Sequence, residues 1–209
     1  MDEERRDAPD DVPGEGTDPL AWTTRGGETE YTCPGFDVRR DDVTLPDGTE
    51  TEFHYLTEPP SVVLLPFTLD GEVVVIEEWR QAVGRVTIGL PAGGFEEGET
   101  PVEAARRELA EETGYEAAAL EELGVFEPAN GLLDSTFHYF FARECAPTAE
   151  QELDHNESIR VGTASFADLR DRAVAGELRD GRSALAVLQY ALRTASDDTG
   201  VGGSERGSP

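Results

Sequence analysis

Residues 93–115 read GGFEEGETPVEAARRELAEETGY: a glycine pair, a short acidic loop, and then an uninterrupted run of helix-forming residues. Thr100 can cap such a helix, Pro101 suits its first position, and Glu103 stands where a capping-box partner belongs. Gly114 supplies the stop, since glycine tolerates the left-handed conformation in which helices commonly end. These signals predict a helix over about 101–113. Within it Glu108, Glu111 and Glu112 follow i, i+3, i+4 spacing and share one face, roughly 100° wide. Ala104 and Ala105 sit one turn earlier on that face, where small side chains leave room for a ligand. Leu109 and Val102 point the other way, towards a core. Arg107 lies one turn before Glu111 and can pair with it, and Glu99 can lean back over the first turn.

Two carboxylates about 5 Å apart at an effective dielectric near 20 repel by roughly 3 kcal/mol. Three on a partly buried face must protonate or take up a cation. Oxygen donors with no histidine or cysteine nearby select Mg²⁺ or Mn²⁺ over zinc. An E-x-x-E-E cluster alone is the ordinary solvated face of an acidic helix. Gly93, Glu99, Arg107 and Gly114 at fixed offsets from it make the pattern far more specific.

Strands dominate the chain before this helix. Phe36–Val38 and Val43–Leu45 lead through the turn Pro46-Asp47-Gly48 to a strand over Thr51–Leu56, a predicted hairpin. Ser61–Leu69 and Glu72–Trp79 flank Asp70-Gly71, a second hairpin signal. The apolar runs at 62–65 and 73–76 predict strands buried on both faces. After the helix come strands near 118–127, 136–143 and 158–166, then helices over about 166–176 and 183–194, the last with Leu185, Leu188 and Leu192 on one face. This order implies an α+β sandwich with a mixed sheet. Residues 1–30, rich in Asp, Glu, Gly, Pro and Thr, read as a disordered acidic tail. The other segments are an N-terminal hairpin region over 31–57, a main domain over 58–195 and a flexible C-terminal tail over 196–209.

The 209 residues carry 45 acidic and 17 basic side chains, a net charge of −28, and every basic residue is arginine. With no lysine, Walker-type NTPases, Schiff-base enzymes and kinases are excluded. No nucleophile elbow or zinc-protease helix occurs. Such acidity repels a nucleic-acid backbone, so no nucleic-acid partner is expected. The longest apolar run is half a bilayer span and the start carries no apolar leader, so neither a membrane nor a secretory route is expected. Cys33 and Cys145 fit no disulfide framework and no metal spacing, and read as free thiols in a reducing cytoplasm. An acidic surface with arginine in place of lysine also fits a salt-adapted cytoplasm. His54, His138 and His155 are scattered and read as structural or surface residues.

The 93–115 segment resembles the Nudix box, G-x5-E-x7-R-E-U-x-E-E-x-G-U, with every position met and Leu109 and Tyr115 in the apolar slots. Outside it, Pro46-Asp47-Gly48, Leu90-Pro91-Ala92-Gly93-Gly94, Pro128-Ala129-Asn130-Gly131 and Asn156-Glu157-Ser158-Ile159-Arg160 are similar to segments of the ADP-ribose pyrophosphatase branch. The resemblance implies a Nudix-type α/β/α sandwich with a mixed β-sheet and an N-terminal β-hairpin subdomain through which relatives form a homodimer. It implies Mg²⁺-dependent (Mn²⁺ as the alternative) hydrolysis of a nucleoside diphosphate derivative, ADP-ribose to AMP and ribose 5-phosphate. Another nucleotide sugar, NADH or a dinucleoside polyphosphate is the alternative substrate, and a non-catalytic nucleotide sensor the alternative role. Sensors commonly lose box carboxylates, and this chain keeps all four.

By the same resemblance Glu108 and Glu112 are the principal metal ligands, with the Ala92 carbonyl oxygen. Glu111 holds a metal directly or through water, and Glu99 supports the site. Glu157 is the general base, with Glu152 in reserve. Arg80 contacts phosphate, Phe36 stacks on an adenine, and Asn130 and Asp134 lie on the loop that selects the substrate. The branch usually has proline where this chain has Asn130, a departure that bears on ADP-ribose itself.

Overall fold

The computed structural model describes residues 18–155 and 157–198. The segments read as tails lie largely outside these residues, over 1–17 and 199–209. The chain divides into two compact units, one comprising residues up to Glu58 with Ala129–Asp134, the other Pro59–Pro128 with Ser135 onwards.

The first unit is a four-stranded sheet in the order β1-β2-β3-β10, formed by Thr23–Cys33, Phe36–Thr44, Glu50–Thr57 and the short Leu133–Asp134. The expected hairpin is present as β2 and β3, antiparallel from Asp37↔Thr57 to Thr44↔Glu50. Two features correct the sequence reading. Residues 23–30, assigned to the tail, belong to β1, which pairs antiparallel with β2 along its length. Both faces of β1 are exposed and its residues, TTRGGETEYTC, are mostly polar, so no apolar alternation marks it as a strand. Leu133–Asp134, from the main-domain segment, pairs parallel with Leu56–Thr57 and joins this sheet. Cross-strand charge holds it together: Arg40 on β2 reaches Glu28 and Glu30 on β1, Asp42 at 2.9 Å and Glu52 on β3 at 3.2 Å.

The second unit is an α/β/α sandwich. Its strands are β4 (Ser61–Thr68), β5 (Glu72–Arg80), β6 (Arg85–Gly89), β7 (Ala92–Gly94), β8 (Tyr115–Glu116), β9 (Ala119–Phe126), β11 (Phe137–Pro147) and β12 (Ile159–Ser165). The main path runs β12-β5-β4-β11-β8, with β6 on β5, β7 on β4 and β9 on β11. The central pair, β4 and β11, is parallel, which explains why Val62–Leu65 is apolar without interruption. The predicted hairpin of β4 and β5 meets only near its turn, at Phe67↔Val73. Beyond it β5 pairs with β12 and β6, while β4 pairs with β11 and β7.

Helix α1 (Pro101–Thr113) covers one face of the β4/β11 pair. Val62, Leu64 and Phe140 on that face pack with Ala104, Ala105 and Leu109. Ala104 and Ala105 are therefore core residues: they let the helix approach the sheet closely and offer no room for a ligand. Val102, expected in the core, is 44% exposed on the first turn. The opposite face carries Phe67 and Phe141, which meet Tyr190 of α3 (Gly181–Asp198) and Phe166 of α2 (Phe166–Val174). The buried side of α3 holds Ser183, Ala186 and Val187. The expected leucine stripe is not that side, since Leu192 is 70% exposed. Among the described residues no helix is long and apolar enough to cross a membrane.

Candidate active site

Every cap expected for α1 is present. The Thr100 hydroxyl accepts from the Glu103 amide, the Glu103 carboxylate accepts from the Thr100 amide at 2.9 Å, and Gly114 at φ 72° closes the helix. This fixes the rotation of the helix, and with it the direction of its acidic face. Glu108 and Glu112 point inward and are 8% and 3% exposed. Glu111, between them, is only half-buried.

Arg107 organises the rim. Its guanidinium donates to both oxygens of Glu99 (2.7 and 2.9 Å), to Glu108 at 2.8 Å, to Glu111 at 2.9 Å and to the Gly94 carbonyl at 2.8 Å. The i, i+4 pair with Glu111 is as the sequence indicates. Glu99 folds back over the first turn because Arg107 grips it, and the contact holds Glu99 below the usual carboxylate range. Below the rim, Glu112 accepts a 2.9 Å hydrogen bond from the Ala92 amide on β7. Gln151 donates to the Glu112 carbonyl and the Glu152 amide to the Glu111 carbonyl, fastening the 149–155 loop to the helix.

At Gly93 β7 passes close against the end of the Glu108 side chain. A Cβ there would lie 2.1 Å from the Glu108 carboxylate carbon. Burial pushes the Glu108 carboxyl up to about 7, although Arg107 opposes it. Burial raises Glu112 further, reinforced by the fields of Glu108, Glu157 and Glu78, although the Ala92 amide opposes it. Two inward carboxylates on one helical face, with a backbone strand against them, are a donor set of hard oxygens that fits a divalent cation. Among the described residues no three acidic, histidine or cysteine side chains converge as a preformed cage, and Arg107 engages Glu99, Glu108 and Glu111. Glu108 and Glu112 are the inward carboxylates the geometry offers, and Ala92 meets them through its N–H, donated to Glu112.

The remaining sequence-predicted residues divide between the units. Glu157 is half-buried at the mouth of β12, and its charge is felt at Glu78, Glu108 and Glu112. Its carboxylate accepts from the Asp154 amide at 3.0 Å. The Glu152 side chain is exposed. Arg80 ends β5 and forms a 2.7 Å ion pair with Glu78. Phe36, Asn130 and Asp134 belong to the first unit, Phe36 at the start of β2 and the other two in and after the 129–132 turn. Asn156 lies outside the described residues.

Sequence reasoning passed over two groups. Glu78 is a carboxylate at an inward position of β5, following Val74 and Ile76, and that alternation was its available signal. Asp180 and Ser183 open α3: the Ser183 hydroxyl donates to Asp180 at 2.5 Å and accepts from the Leu90 amide at 2.8 Å. This ties the start of α3 to the segment leading into Ala92 and Gly93.

Residues 57–182, more than half of the chain, match the family described as NUDIX domain. The chain belongs to the NUDIX family. It is 32% identical over 160 residues to the ADP-ribose pyrophosphatase of Bacillus subtilis (strain 168), a match covering 76% of this chain and 86% of that one. It is 28% identical over 169 residues to the ADP-ribose pyrophosphatase of Mycobacterium tuberculosis (strain ATCC 25618 / H37Rv), covering 80% and 82%. The methanol dehydrogenase activator of Bacillus methanolicus is 28% identical over 156 residues, covering 74% and 84%. The fold is shared with a crystal structure titled an ADP compounds hydrolase, at a TM-score of 0.74 and 22% identity over 88% of this chain and 99% of that one. The NUDIX match and these relatives make the protein a NUDIX hydrolase, and the box residues are those of α1 and the loop before it.

Replacing Gly93 by alanine is expected to leave the thermal midpoint within about 3 °C, because the atom met is the end of a flexible side chain. The displaced Glu108 should lower divalent-metal affinity by about tenfold or more. Calorimetric titration with Mn²⁺ reads this, and unchanged affinity would refute the close-approach argument.

Glu108 sets a second expectation. Its folded value, about 7, lies above its ordinary 4.5, so the folded state binds the extra proton. The stabilisation is present in full below about 4.5 and is lost as pH rises through about 7. In EDTA the melting temperature should fall from pH 5.5 to 8, and fall less in Glu108→Gln. Mg²⁺ should restore more at pH 8 than at pH 5.5. Equal pH slopes in the two proteins would contradict it.

Proposed function

We propose that this NUDIX hydrolase cleaves the pyrophosphate bond of a nucleoside diphosphate derivative, with ADP-ribose as the preferred substrate and Mg²⁺ as the metal. The single observation that carries the reading is the buried Glu108/Glu112 pair within the field of Glu157, hard oxygen donors whose burial opposes ionisation and whose ionised form a divalent cation would stabilise. The ADP-ribose pyrophosphatases of Bacillus subtilis and Mycobacterium tuberculosis supply the substrate class.

Glu108, Glu112 and the Ala92 carbonyl oxygen would hold the metal, with Glu111 and Glu99 fixed around them by Arg107. A divalent ion held there would supply charge neutralisation for the diphosphate and a lowered pKa for the attacking water. Glu157 takes the proton of that water. The water oxygen bonds to one phosphorus, the bridging P–O bond breaks, and AMP and ribose 5-phosphate leave. Glu157 is preferred to Glu152 because it is half-buried within the field of the inward carboxylates, whereas the Glu152 side chain faces solvent. Arg80 reaches for the diphosphate. The two free thiols, Cys33 and Cys145, support a cytoplasmic enzyme.

Purified protein with Mg²⁺ at high salt should convert ADP-ribose to AMP and ribose 5-phosphate faster than GDP-mannose, NADH or a dinucleoside polyphosphate, as resolved by chromatography. Glu157→Gln should lower kcat by roughly 10²–10⁴-fold with KM little changed. Near-normal turnover would remove Glu157 from the mechanism, and no product from any substrate would remove the hydrolase assignment.

A homodimer built through the first unit is part of the same reading. Trp22, Tyr31, Phe36 and Phe53 are exposed there, an aromatic surface of the kind that two-fold interfaces bury. Sedimentation should give twice the protomer mass, and Trp22→Glu with Phe53→Glu should return it to one; a single-protomer mass for the parent protein would end this part of the proposal.

A further inference from the structure

β5 places Val74, Ile76, Glu78 and Arg80 on one side by simple alternation. The first two are fully apolar and buried, as a strand in this position requires. Glu78 continues the inward series with a carboxylate that is 8% exposed. Burial is the main force raising it above the usual range, opposed by Arg80 and then Arg182, while Glu157 and Asp180 add to it. Glu78 in turn adds to the charge opposing ionisation of Glu112. A carboxylate here is therefore unfavourable twice, through desolvation and through repulsion from the site. An apolar residue would serve packing better.

The contact with Arg80 resolves the conflict. One Glu78 oxygen lies 2.7 Å from an Arg80 terminal nitrogen, but the approach is off the axis of a hydrogen bond, and that oxygen has no hydrogen-bond partner among the described residues. The attraction is coulombic: it holds the guanidinium's charge without using up its directed N–H groups. The pair is also lopsided, since the Glu78 side chain is 10% exposed and that of Arg80 37%. The buried partner anchors and the outer partner faces solvent.

We propose that Glu78 is a positioning residue that holds Arg80 from behind, so that its guanidinium meets the diphosphate of the substrate. The inference rests on the proposed function for the identity of that diphosphate. It explains why a charge is kept at an inward strand position next to other carboxylates. It also gives a protein of net charge −28 a fixed cation for an anionic substrate.

A double-mutant cycle tests it with two readouts: steady-state kinetics on ADP-ribose with Mg²⁺, and calorimetric binding of the uncleavable α,β-methylene analogue of ADP-ribose. Glu78→Gln keeps the shape and removes the charge. It should raise KM and the analogue's Kd by about tenfold, with kcat within about threefold of the parent. Arg80→Ala should raise both at least as much, and adding Glu78→Gln to it should change neither further, because the anchor then holds nothing. Unchanged KM and Kd in Glu78→Gln, a fall in kcat alone, or full additivity with Arg80→Ala would each overturn the positioning role. A parent protein that binds the analogue but releases no product would overturn the hydrolase reading alone, and the binding cycle would still decide on Glu78. A parent that does not bind the analogue would overturn both.

Discussion

Two carboxylates are kept out of water on one side of a single helix, and most of the second unit can be understood as the means of keeping them there. Glu108 and Glu112 lose hydration that neither Arg107 nor the Ala92 amide fully replaces, so both resist ionisation. Such an arrangement survives only where other interactions over-determine the backbone around it. Here they are the double capping of α1, the seating of Leu109, Ala104 and Ala105 on β4 and β11, and the approach of Gly93. The apolar half of the helix supplies the stability that its polar half spends.

Arg107 has a role distinct from packing. One guanidinium gathers Glu99, Glu108, Glu111 and the Gly94 carbonyl, so the loop before the helix and the helix itself share a single cationic centre. Burial of part of this cluster strengthens each contact relative to a surface pair. Lysine could not do this, having three donors on one nitrogen and no planar fork. In a chain whose every basic residue is arginine, the same solution recurs: Arg40 gathers four carboxylates across β1, β2 and β3.

What could be read from the residues alone follows from how local each signal is. Helix α1, its caps, the Arg107–Glu111 pair and the core position of Leu109 depend on spacing within a single turn or two, and all are found. The apolar runs of β4 and β5 were equally plain. Strand β1 was not, because both its faces meet solvent and it carries no alternation. The placement of Ala104 and Ala105 failed for another reason. Helical spacing gives an angle but not the partner at that angle, and here the partner is the sheet. The Ser183–Leu90 contact joins residues 93 positions apart, so no local pattern announces it, whereas the inward place of Glu78 was written in the alternation of β5.

That last contact joins distant parts of the chain. Ser183 is fully buried, and its hydroxyl both receives the Leu90 amide and is held by Asp180 at the first turn of α3. Leu90 stands two residues before Ala92, so the strand that faces the acidic helix is hung at one end from the C-terminal helix. Fraying at the start of α3 would thereby loosen the backbone leading to Ala92 and Gly93, and a ligand held at the acidic helix would slow hydrogen exchange in a helix on the opposite side of the central sheet.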